Sequence, residues 1–489
     1  MEIKKKSSKK KTFGRNKTIK NIIQITISNI VIILAGVVSG FLLPKILGIS
    51  SYGYFKTYTL YISYVGLFHF GFIDGIYLFY GGSEYGDLNK SQFRFYFHFL
   101  LLMQVIISTI SILISIFFLD GIYRIIFISV SISIILLNLT SFFQFISQIT
   151  GRFKELSSRN IIRSILTIIS ITALVIYFYL NFENYIPYYV YIIIYELIYF
   201  ILLVWYLHTY KDIVVGPRNS FKNEKQNVLN FFKIGWPLLI GNLCGGIVSV
   251  MDRQFVNVLF SNEIYAVYAF AYSMLALVTT ATSAISTVLF PTLKHAGLDF
   301  FINKYSKYNS MLIILVSVCI TLYFPLIFVV NTFLPEYAGS LIIFRIIFPG
   351  IIISSSISII MHNFYKVMNL NKLYLKKTII ILLLTFISNF LCYKIFKTTV
   401  AISVASIFTL LSWYIYVEIT ISHKYGIKCG KIFWYMIIQI CAFYLITSID
   451  IWYLGFVIYL TEYLFVTWVF YKDFIKHYVC SWKNKNHPK

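Results

Sequence analysis

The side chains of this sequence most able to do chemistry are charged groups set inside long apolar segments. They are Asp74, Glu196, Asp252, Arg253, Arg345, Glu418 and Glu462, with His69 and His362 as titratable neighbours. A charge in hydrocarbon costs roughly 3 kcal/mol on insertion scales, so such groups usually face water or a partner. These residues are therefore the first candidates for binding ions or an anionic solute.

Two adjacent residues, Asp252 and Arg253, lie near the end of one apolar segment, and Arg345 lies before Pro349 in another. Neighbouring residues of a helix point about 100° apart, so Asp252 and Arg253 need not pair with each other. Proline can kink the helix that carries Arg345. Both arginines are candidate anion contacts, and the alternative is that they extend to the outer membrane interface.

Asp74 lies deeper in its apolar segment. A carboxyl group in low dielectric can exchange a proton or hold a cation, which suits ion coupling. The alternative is a hydrogen-bonded structural acid. His69, five residues earlier, is expected to lie too far round a continuous helix to pair with it. Glu418 is expected at an interface, and a transport role for Glu462 is not expected.

A polar stripe follows one face of a further apolar segment, at a spacing of three to four residues. It consists of Asn138, Ser141, Gln144 and Gln148. Such groups can line a hydrated cavity and hydrogen-bond sugar hydroxyls, or they can join helices to one another. We interpret them as cavity lining, with helix joining as the alternative.

The composition requires lipid as the solvent of most of the chain. The 489 residues are 59% hydrophobic and 12% charged, with a mean hydropathy of +0.78, whereas soluble domains are about one quarter charged. The six cysteines form no CxxC pair, so neither a disulfide framework nor a zinc site is expected. Motifs for phosphate loops, zinc proteases and serine hydrolases are missing, and the chain is predicted not to be an enzyme.

Apolar runs predict an all-α integral membrane protein of about 14 transmembrane helices, because a helix needs roughly 20 apolar residues to cross the bilayer. The predicted spans lie near residues 21–43, 54–80, 95–119, 122–149, 161–180, 188–208, 234–259, 265–290, 308–330, 341–365, 374–393, 400–421, 432–447 and 451–471.

The basic residues support this count and predict an orientation. Lys and Arg number 42 and are concentrated in alternate connecting segments, beginning with the N-terminal one. The exceptions are Lys45, Lys56, Arg124, Lys394 and Lys397, together with the two arginines inside spans. By the positive-inside rule, both termini are expected to be cytoplasmic. The net charge of +24 then faces anionic lipid headgroups, and no nucleic-acid partner is expected.

Several short motifs carry a family resemblance. They are Leu47-Gly48 and Tyr52-Gly53 between spans one and two, Pro237 near the start of span seven, and Asp252-Arg253 near its outer end. In these features and in its span count the chain resembles the polysaccharide repeat-unit flippases (O-antigen and capsule flippases). These belong to the multidrug/oligosaccharidyl-lipid/polysaccharide exporter superfamily.

A faint internal repeat agrees with the resemblance. Gly36 and Gly40 of span one have counterparts in Gly241 and Gly245 of span seven, although close helix packing alone would also favour such pairs. The expected fold has two six-helix lobes related by pseudo-two-fold symmetry, plus two extra C-terminal helices. The predicted parts are a basic cytoplasmic tail (1–20), an N-terminal lobe (21–208), a cytoplasmic linker (209–233), a C-terminal lobe (234–421), and the extra helices with a cytoplasmic tail (422–489).

The resemblance implies that the chain flips polyprenyl-pyrophosphate-linked oligosaccharides from the inner to the outer leaflet of the bacterial cytoplasmic membrane. Alternating access, coupled to H⁺ or Na⁺, would drive the cycle without another cofactor or metal. The expected anionic-headgroup contacts are Arg253, Arg345, Arg163 and Lys366, and the expected ion-coupling groups are Asp74 and Asp252. Membrane lipids are expected partners, and polysaccharide polymerase machinery is a candidate partner.

Two other functions stay open at this stage. A multidrug or cationic-solute antiporter of the same superfamily would share the fold but would need an acid-rich cavity. A membrane polysaccharide polymerase usually carries a long extracytoplasmic loop with catalytic residues, and every loop between the predicted spans is short.

Overall fold

The computed structural model describes the backbone of residues 2–181, 184–296, 298–368, 370–427, 430–449 and 451–486. Side chains are described for residues 24–181, 184–279, 302–365, 367–368, 370, 372–427, 430–449 and 451–472. These parts of the chain form helices and connecting turns, without a strand among them. The predicted all-α class is confirmed.

Seventeen α-helices make up the described chain. The first eight are α1 (Glu2–Ile62), α2 (Phe72–Tyr80), α3 (Lys90–Phe118), α4 (Gly121–Ile149), α5 (Phe153–Leu180), α6 (Tyr188–Thr209), α7 (Phe221–Leu259) and α8 (Asn262–Ala296). The others are α9 (Leu298–Cys319), α10 (Tyr323–Phe333), α11 (Ser340–Ile347), α12 (Gly350–Ser355), α13 (His362–Val367), α14 (Asn371–Phe396), α15 (Thr399–Tyr425), α16 (Gly430–Ile446) and α17 (Trp452–Asn486).

Within the described residues, ten helices are long and apolar enough to cross a membrane, and a bent pair makes an eleventh. The bent pair joins Ser340–Ile347 to Gly350–Tyr365 at 47°, where Pro349 interrupts the helix as predicted. The segment Gln24–His69 holds the first predicted span and part of the second. The predicted count of about 14 is consistent with this arrangement, and the chain is a multi-pass membrane protein.

The helices group into two compact units, Met1–Ala269 and Phe270–Lys489. The first unit contains α1 to α7, so it includes the seventh predicted span, which the sequence places in the C-terminal lobe. The predicted lobe boundaries at 21–208 and 234–421 are therefore not the boundaries of these units, and the lobes stay a prediction.

Side-chain caps fix where several helices begin. Asn89 accepts a hydrogen bond from the backbone N–H of Gln92 (3.3 Å) at the start of α3. Thr398 does the same for the N–H of Ala401 (3.2 Å) at the start of α15. The first N–H groups of a helix have no partner within the helix, so such caps end the preceding loop and start the span.

The second predicted span is not one uninterrupted helix. A break at Gly48, where φ is +68°, divides α1 between the first two predicted spans, and glycine tolerates this left-handed geometry because it has no Cβ. The second span (54–80) is itself interrupted between Ile62 and Phe72, where a 3₁₀ turn (Val65–His69) separates α1 from α2. The polar backbone of this interruption needs partners from other helices.

Helix α2 crosses α7 at three glycines. A Cβ built on Gly235 of α7 would lie 1.9 Å from the carbonyl oxygen of Gly71, and one on Gly75 would lie 2.1 Å from that of Phe231. Only glycine leaves room for the two backbones to approach this closely, the usual role of small residues between membrane helices.

The segment between α6 and α7 is bound to the start of α3. Arg94 donates hydrogen bonds to the carbonyl oxygens of Asp212 (2.8 Å) and Pro217 (2.9 Å). Ser91 donates to the carbonyl oxygen of Pro217 (3.2 Å), and the Tyr85 hydroxyl donates to the Asp212 carboxylate (2.5 Å). Burial and this last bond raise the pKa of Tyr85. These hydrogen bonds hold the segment between α6 and α7, part of the predicted linker, against the start of α3.

In the second unit, three tyrosines join α17 to α9. Tyr459, Tyr463 and Tyr471 donate to the Ser317 carbonyl (3.5 Å), the Ile314 carbonyl (3.1 Å) and the Ser310 hydroxyl (3.2 Å). The three acceptors lie on one face of α9, since they are four and three residues apart. Helix α17, the second of the two extra C-terminal helices, therefore packs on α9 through directed hydrogen bonds.

The glycine crossing yields a stability prediction. Gly235→Ala should lower the Tm of the purified protein in detergent, because overpacking costs about 1–3 kcal/mol. Gly246→Ala on the same helix is the matched control, since its Cβ would meet no atom within 4 Å and alanine favours the helix. Equal Tm values for the two variants, measured by size-exclusion thermal shift, would contradict the tight crossing.

Candidate functional site

Two neighbouring amide side chains stabilise the interruption of the second span. Gln104 of α3 donates to the carbonyl oxygen of Phe68 (3.1 Å), and Asn138 of α4 donates to that of Val65 (3.1 Å). Asn138 also donates to the Gln104 side-chain oxygen (2.7 Å), and both side chains are fully buried. They thus supply hydrogen bonds from neighbouring helices to backbone carbonyl groups of the interruption.

The interruption also brings His69 and Asp74 together. His69 Nε2 lies 3.8 Å from Asp74 Oδ2, and both side chains are less than 10% exposed. The prediction that they lie too far apart to pair was wrong, because it assumed a continuous helix. Phe70 and Gly71 instead have positive φ values of 49° and 81°, which turn the chain and aim His69 at the acid.

The partners of this pair define its chemistry. The backbone N–H of Gly71 donates to His69 Nδ1 (3.2 Å), so Nδ1 is an acceptor and a neutral ring carries its proton on Nε2, facing Asp74. Asp74 Oδ2 has no hydrogen-bond partner within the described part of the chain. A buried carboxyl oxygen without a donor is suited to taking up a proton or a cation.

A second polar cluster joins α1 to the end of α7. Asn257 donates to the Thr57 hydroxyl (2.7 Å). Gln254 donates to the Tyr61 hydroxyl (3.1 Å) and accepts from that of Tyr64 (3.3 Å). All these groups are uncharged and mutually hydrogen-bonded, so the cluster holds the two helices in register near the predicted Asp-Arg pair.

Asp252 and Arg253 have different surroundings, as their helical spacing predicts. Asp252 is 3% exposed and accepts a hydrogen bond from Tyr268 (2.8 Å). The Arg253 side chain is 26% exposed, its Nη2 donates to the Ser249 carbonyl (2.6 Å), and its Nε lies 4.0 Å from Asp252 Oδ1.

Arg163 lies in the first unit and away from the Arg253 cluster in sequence. Its Nη1 donates to the Tyr199 hydroxyl of α6 (3.0 Å), and its guanidinium carbon is 5.9 Å from the ring centroid. Both side chains are partly exposed. The guanidinium group is held in place by a neutral partner and keeps its charge available to an anion.

The other two predicted contacts lie in the second unit. Arg345 of α11 donates to the Tyr444 carbonyl (3.1 Å) and the Ser448 hydroxyl (3.2 Å), which connects α11 to α16. Lys366 lies on α13, but its side chain is outside the described residues. Their predicted role as headgroup contacts stays a prediction.

The predicted polar stripe divides into two kinds of residue. Asn138 is buried between helices, where it has the joining role that the sequence left as the alternative. Ser141, Gln144 and Gln148 are partly exposed. Cavity lining by these three stays a prediction.

Two of the acids named from the sequence have hydrogen-bond partners that the sequence did not reveal. Glu418 is 6% exposed and accepts a hydrogen bond from the Tyr305 hydroxyl (2.6 Å), and its expected interfacial position stays a prediction. Glu196 of α6 lies 3.5 Å from both the Tyr58 and Ser133 hydroxyls. A lone acid in an apolar helix was the available signal for both, but nothing in the sequence identified their partners.

A metal centre is not part of the site as far as it is described: no group of three or more His, Cys, Asp or Glu residues that could hold an ion occurs among the residues searched.

Comparison with solved structures shows the fold. The lipid II flippase MurJ in an inward closed conformation aligns with a TM-score of 0.63 at 14% identity, covering 94% of this chain and all of that one (100%). A MOP superfamily transporter from Pyrococcus furiosus aligns with a TM-score of 0.54 at 12% identity, covering 83% and 95%. An outward-facing multidrug resistance MATE family transporter aligns with a TM-score of 0.51 at 11% identity, covering 83% and 96%.

The chain therefore has the fold of MOP superfamily transporters, which confirms the predicted resemblance. No curated protein sequence matches the chain at a significant level. The family model described as "Polysaccharide biosynthesis protein" matches residues 18–296. That match covers more than half of the 489 residues and agrees with the prediction that the chain is not an enzyme. The chain belongs to the polysaccharide biosynthesis protein family.

Proposed function

We propose that this protein flips polyprenyl-pyrophosphate-linked oligosaccharide repeat units from the inner to the outer leaflet of the bacterial cytoplasmic membrane. The family and the fold support transport of a lipid-linked saccharide. A pyrophosphate and its sugars cannot cross hydrocarbon unaided, because desolvation of these polar groups is prohibitive. Alternating access by two lobes, with both termini in the cytoplasm, would carry the headgroup across while the prenyl tail stays in lipid.

The observation that carries the proposal is the Arg253 guanidinium group in the first unit. Its side chain is 26% exposed, whereas the neighbouring acid Asp252 is buried and accepts a hydrogen bond from Tyr268. An anionic headgroup would pair with this partly exposed cation, and a guanidinium group suits bidentate bonding to phosphate. A cationic solute would be repelled by Arg253, so this residue disfavours the multidrug antiporter alternative.

Arg163, Arg345 and Lys366 complete the proposed headgroup contacts, and Asp74 and Asp252 are the proposed coupling groups. Support for Asp74 is the stronger, because its Oδ2 is buried without a donor beside His69. Asp252 already accepts a hydrogen bond from Tyr268, so binding an ion there requires a change of partner. Polymerase machinery remains a candidate partner.

Deletion of the gene tests the direction of transport. Lipid-linked repeat units should accumulate on the inner leaflet, measured by the accessibility of their sugars to a lectin in intact and permeabilised spheroplasts. An unpolymerised pool on the outer leaflet would instead identify a polymerase, and unchanged repeat units with altered drug sensitivity would identify an antiporter.

Arg253→Ala should reduce export about tenfold or more at unchanged membrane abundance, because hydrogen bonds to charged groups contribute about 1.5–3 kcal/mol. Arg253→Lys should recover part of the loss, which separates positive charge from bidentate recognition. Arg124→Ala is the control, since Arg124 bonds to the exposed Asp120 in a loop. Normal export by Arg253→Ala would remove this residue from the site.

Asp74→Asn should uncouple export from the ion gradient, because an amide cannot take up a proton or hold a cation by charge. The measurement is export from energised cells before and after collapse of the proton or sodium gradient. The variant should lose the gradient-dependent component, whereas Asp120→Asn, at a nearly fully exposed loop acid, should keep it. A gradient response equal to that of the unmodified protein would show that Asp74 is structural.

A further inference from the structure

Glu196 is a titratable group in the first unit to which the proposed transport cycle gives no role. Its Oε1 lies 3.5 Å from the hydroxyls of Tyr58 and Ser133, which bond to each other at 2.8 Å. Its second oxygen, Oε2, makes no hydrogen bond within the described part of the chain. The carboxylate is thus fixed through one oxygen and retains acceptor capacity on the other.

A series of contacting tyrosine rings connects Glu196 to the basic side chain of Arg163. Tyr195 meets Tyr58 edge-on at 5.8 Å between ring centroids, and Tyr199 lies 5.0 Å from Tyr195. The Tyr199 hydroxyl accepts the hydrogen bond from Arg163. A carboxylate, three tyrosine rings and a guanidinium group therefore follow one another on α1, α6 and α5.

The exposure pattern of α6 shows which side these rings occupy. Ile193 and Leu197 are about half exposed and define the lipid-facing side of the helix. Tyr195 points about 160° away from both, because each residue turns the helix by about 100°. The neighbouring inward positions Ile198 and Leu202 are 7% and 3% exposed, yet Tyr195 and Tyr199 stay partly exposed. The two tyrosine side chains are therefore partly accessible although they point away from the most exposed side of α6.

We propose that Glu196, Tyr195, Tyr199 and Arg163 form a carbohydrate-binding subsite for the saccharide of the transported lipid. This proposal rests on the proposed function. The free Glu196 oxygen accepts hydrogen bonds from sugar hydroxyls, the flat apolar rings pack against the C–H face of the pyranose, and Arg163 donates to ring or linking oxygens. Apolar walls with a few directed polar groups are typical of small-ligand sites.

The competing explanation is that Glu196 is only a structural acid that joins α1, α4 and α6. Glu196→Gln separates the two roles, because glutamine has the same shape and its oxygen can still accept from the hydroxyl of Tyr58 or Ser133, whichever does not donate to the other. It loses the charge that strengthens hydrogen bonds from sugar hydroxyls. Glu462→Gln is the matched control, since Glu462 on α17 also has one oxygen bound, to Gln439 (3.4 Å), and one without a hydrogen bond.

The experiment measures binding to the full-length protein in detergent by native mass spectrometry. The two probes are bare polyprenyl pyrophosphate and polyprenyl pyrophosphate carrying one N-acetylhexosamine. The unmodified protein and the Glu462→Gln variant should bind the saccharide-bearing lipid about tenfold more tightly than the bare lipid, as expected for one charge-assisted hydrogen bond. Glu196→Gln and Tyr195→Ala should bind both probes equally, with unchanged affinity for the bare lipid.

Three results would count against the subsite, and they differ from failure of the proposed function. Equal binding of both probes by the unmodified protein overturns the subsite but leaves transport of the lipid pyrophosphate standing. If Glu196→Gln and Tyr195→Ala both still prefer the saccharide-bearing lipid, the subsite is likewise overturned and transport of the lipid pyrophosphate still stands. A third result is that the bare lipid does not bind and that free N-acetylhexosamine displaces the saccharide-bearing lipid. That result would assign the site to a soluble sugar. Binding of neither probe and of no free sugar would overturn the proposed function as well.

Discussion

The structure depends on one constraint: a backbone carbonyl or amide group inside a membrane must find its hydrogen-bond partner within the protein. Most of the chain meets this constraint with uninterrupted helices. The second span is interrupted, and there Asn138 and Gln104 donate hydrogen bonds to the carbonyl groups of Val65 and Phe68. These two amides stabilise the interruption, which brings His69 Nε2 to 3.8 Å from Asp74 Oδ2.

Contacts between the spans follow from the same solvent. Lipid offers little hydrophobic drive to bring one apolar helix to another, so close backbone approach and polar bonds do this work. The first unit uses both, in the glycine crossing of α2 with α7 and in the bonds of Gln254 and Asn257 to α1. Arg163, which is bonded to the neutral Tyr199, and Arg253 both stay partly exposed.

Sequence patterns predicted the features that depend on local composition. Long apolar runs identified the helices, and Pro349 identified the bend between α11 and α12. Patterns failed where the outcome depends on a distant partner. The pairing of His69 with Asp74 requires positive φ at Phe70, which no residue type there demands. The sequence placed Glu418 near the end of its helix but could not identify its hydrogen-bond partner Tyr305, more than one hundred residues earlier.

The three tyrosine hydroxyls that join α17 to α9 bear on how the second unit moves in its solvent. Hydrogen bonds at three points along one helix face resist both sliding and rotation of α17 against α9, so the two helices are expected to move together. If α9 moves, α17 must then move with it, and the pair displaces more lipid acyl chains than a single helix would. The viscosity and thickness of the surrounding lipid thus become a mechanical load on that motion, felt through a helix that carries none of the proposed headgroup contacts.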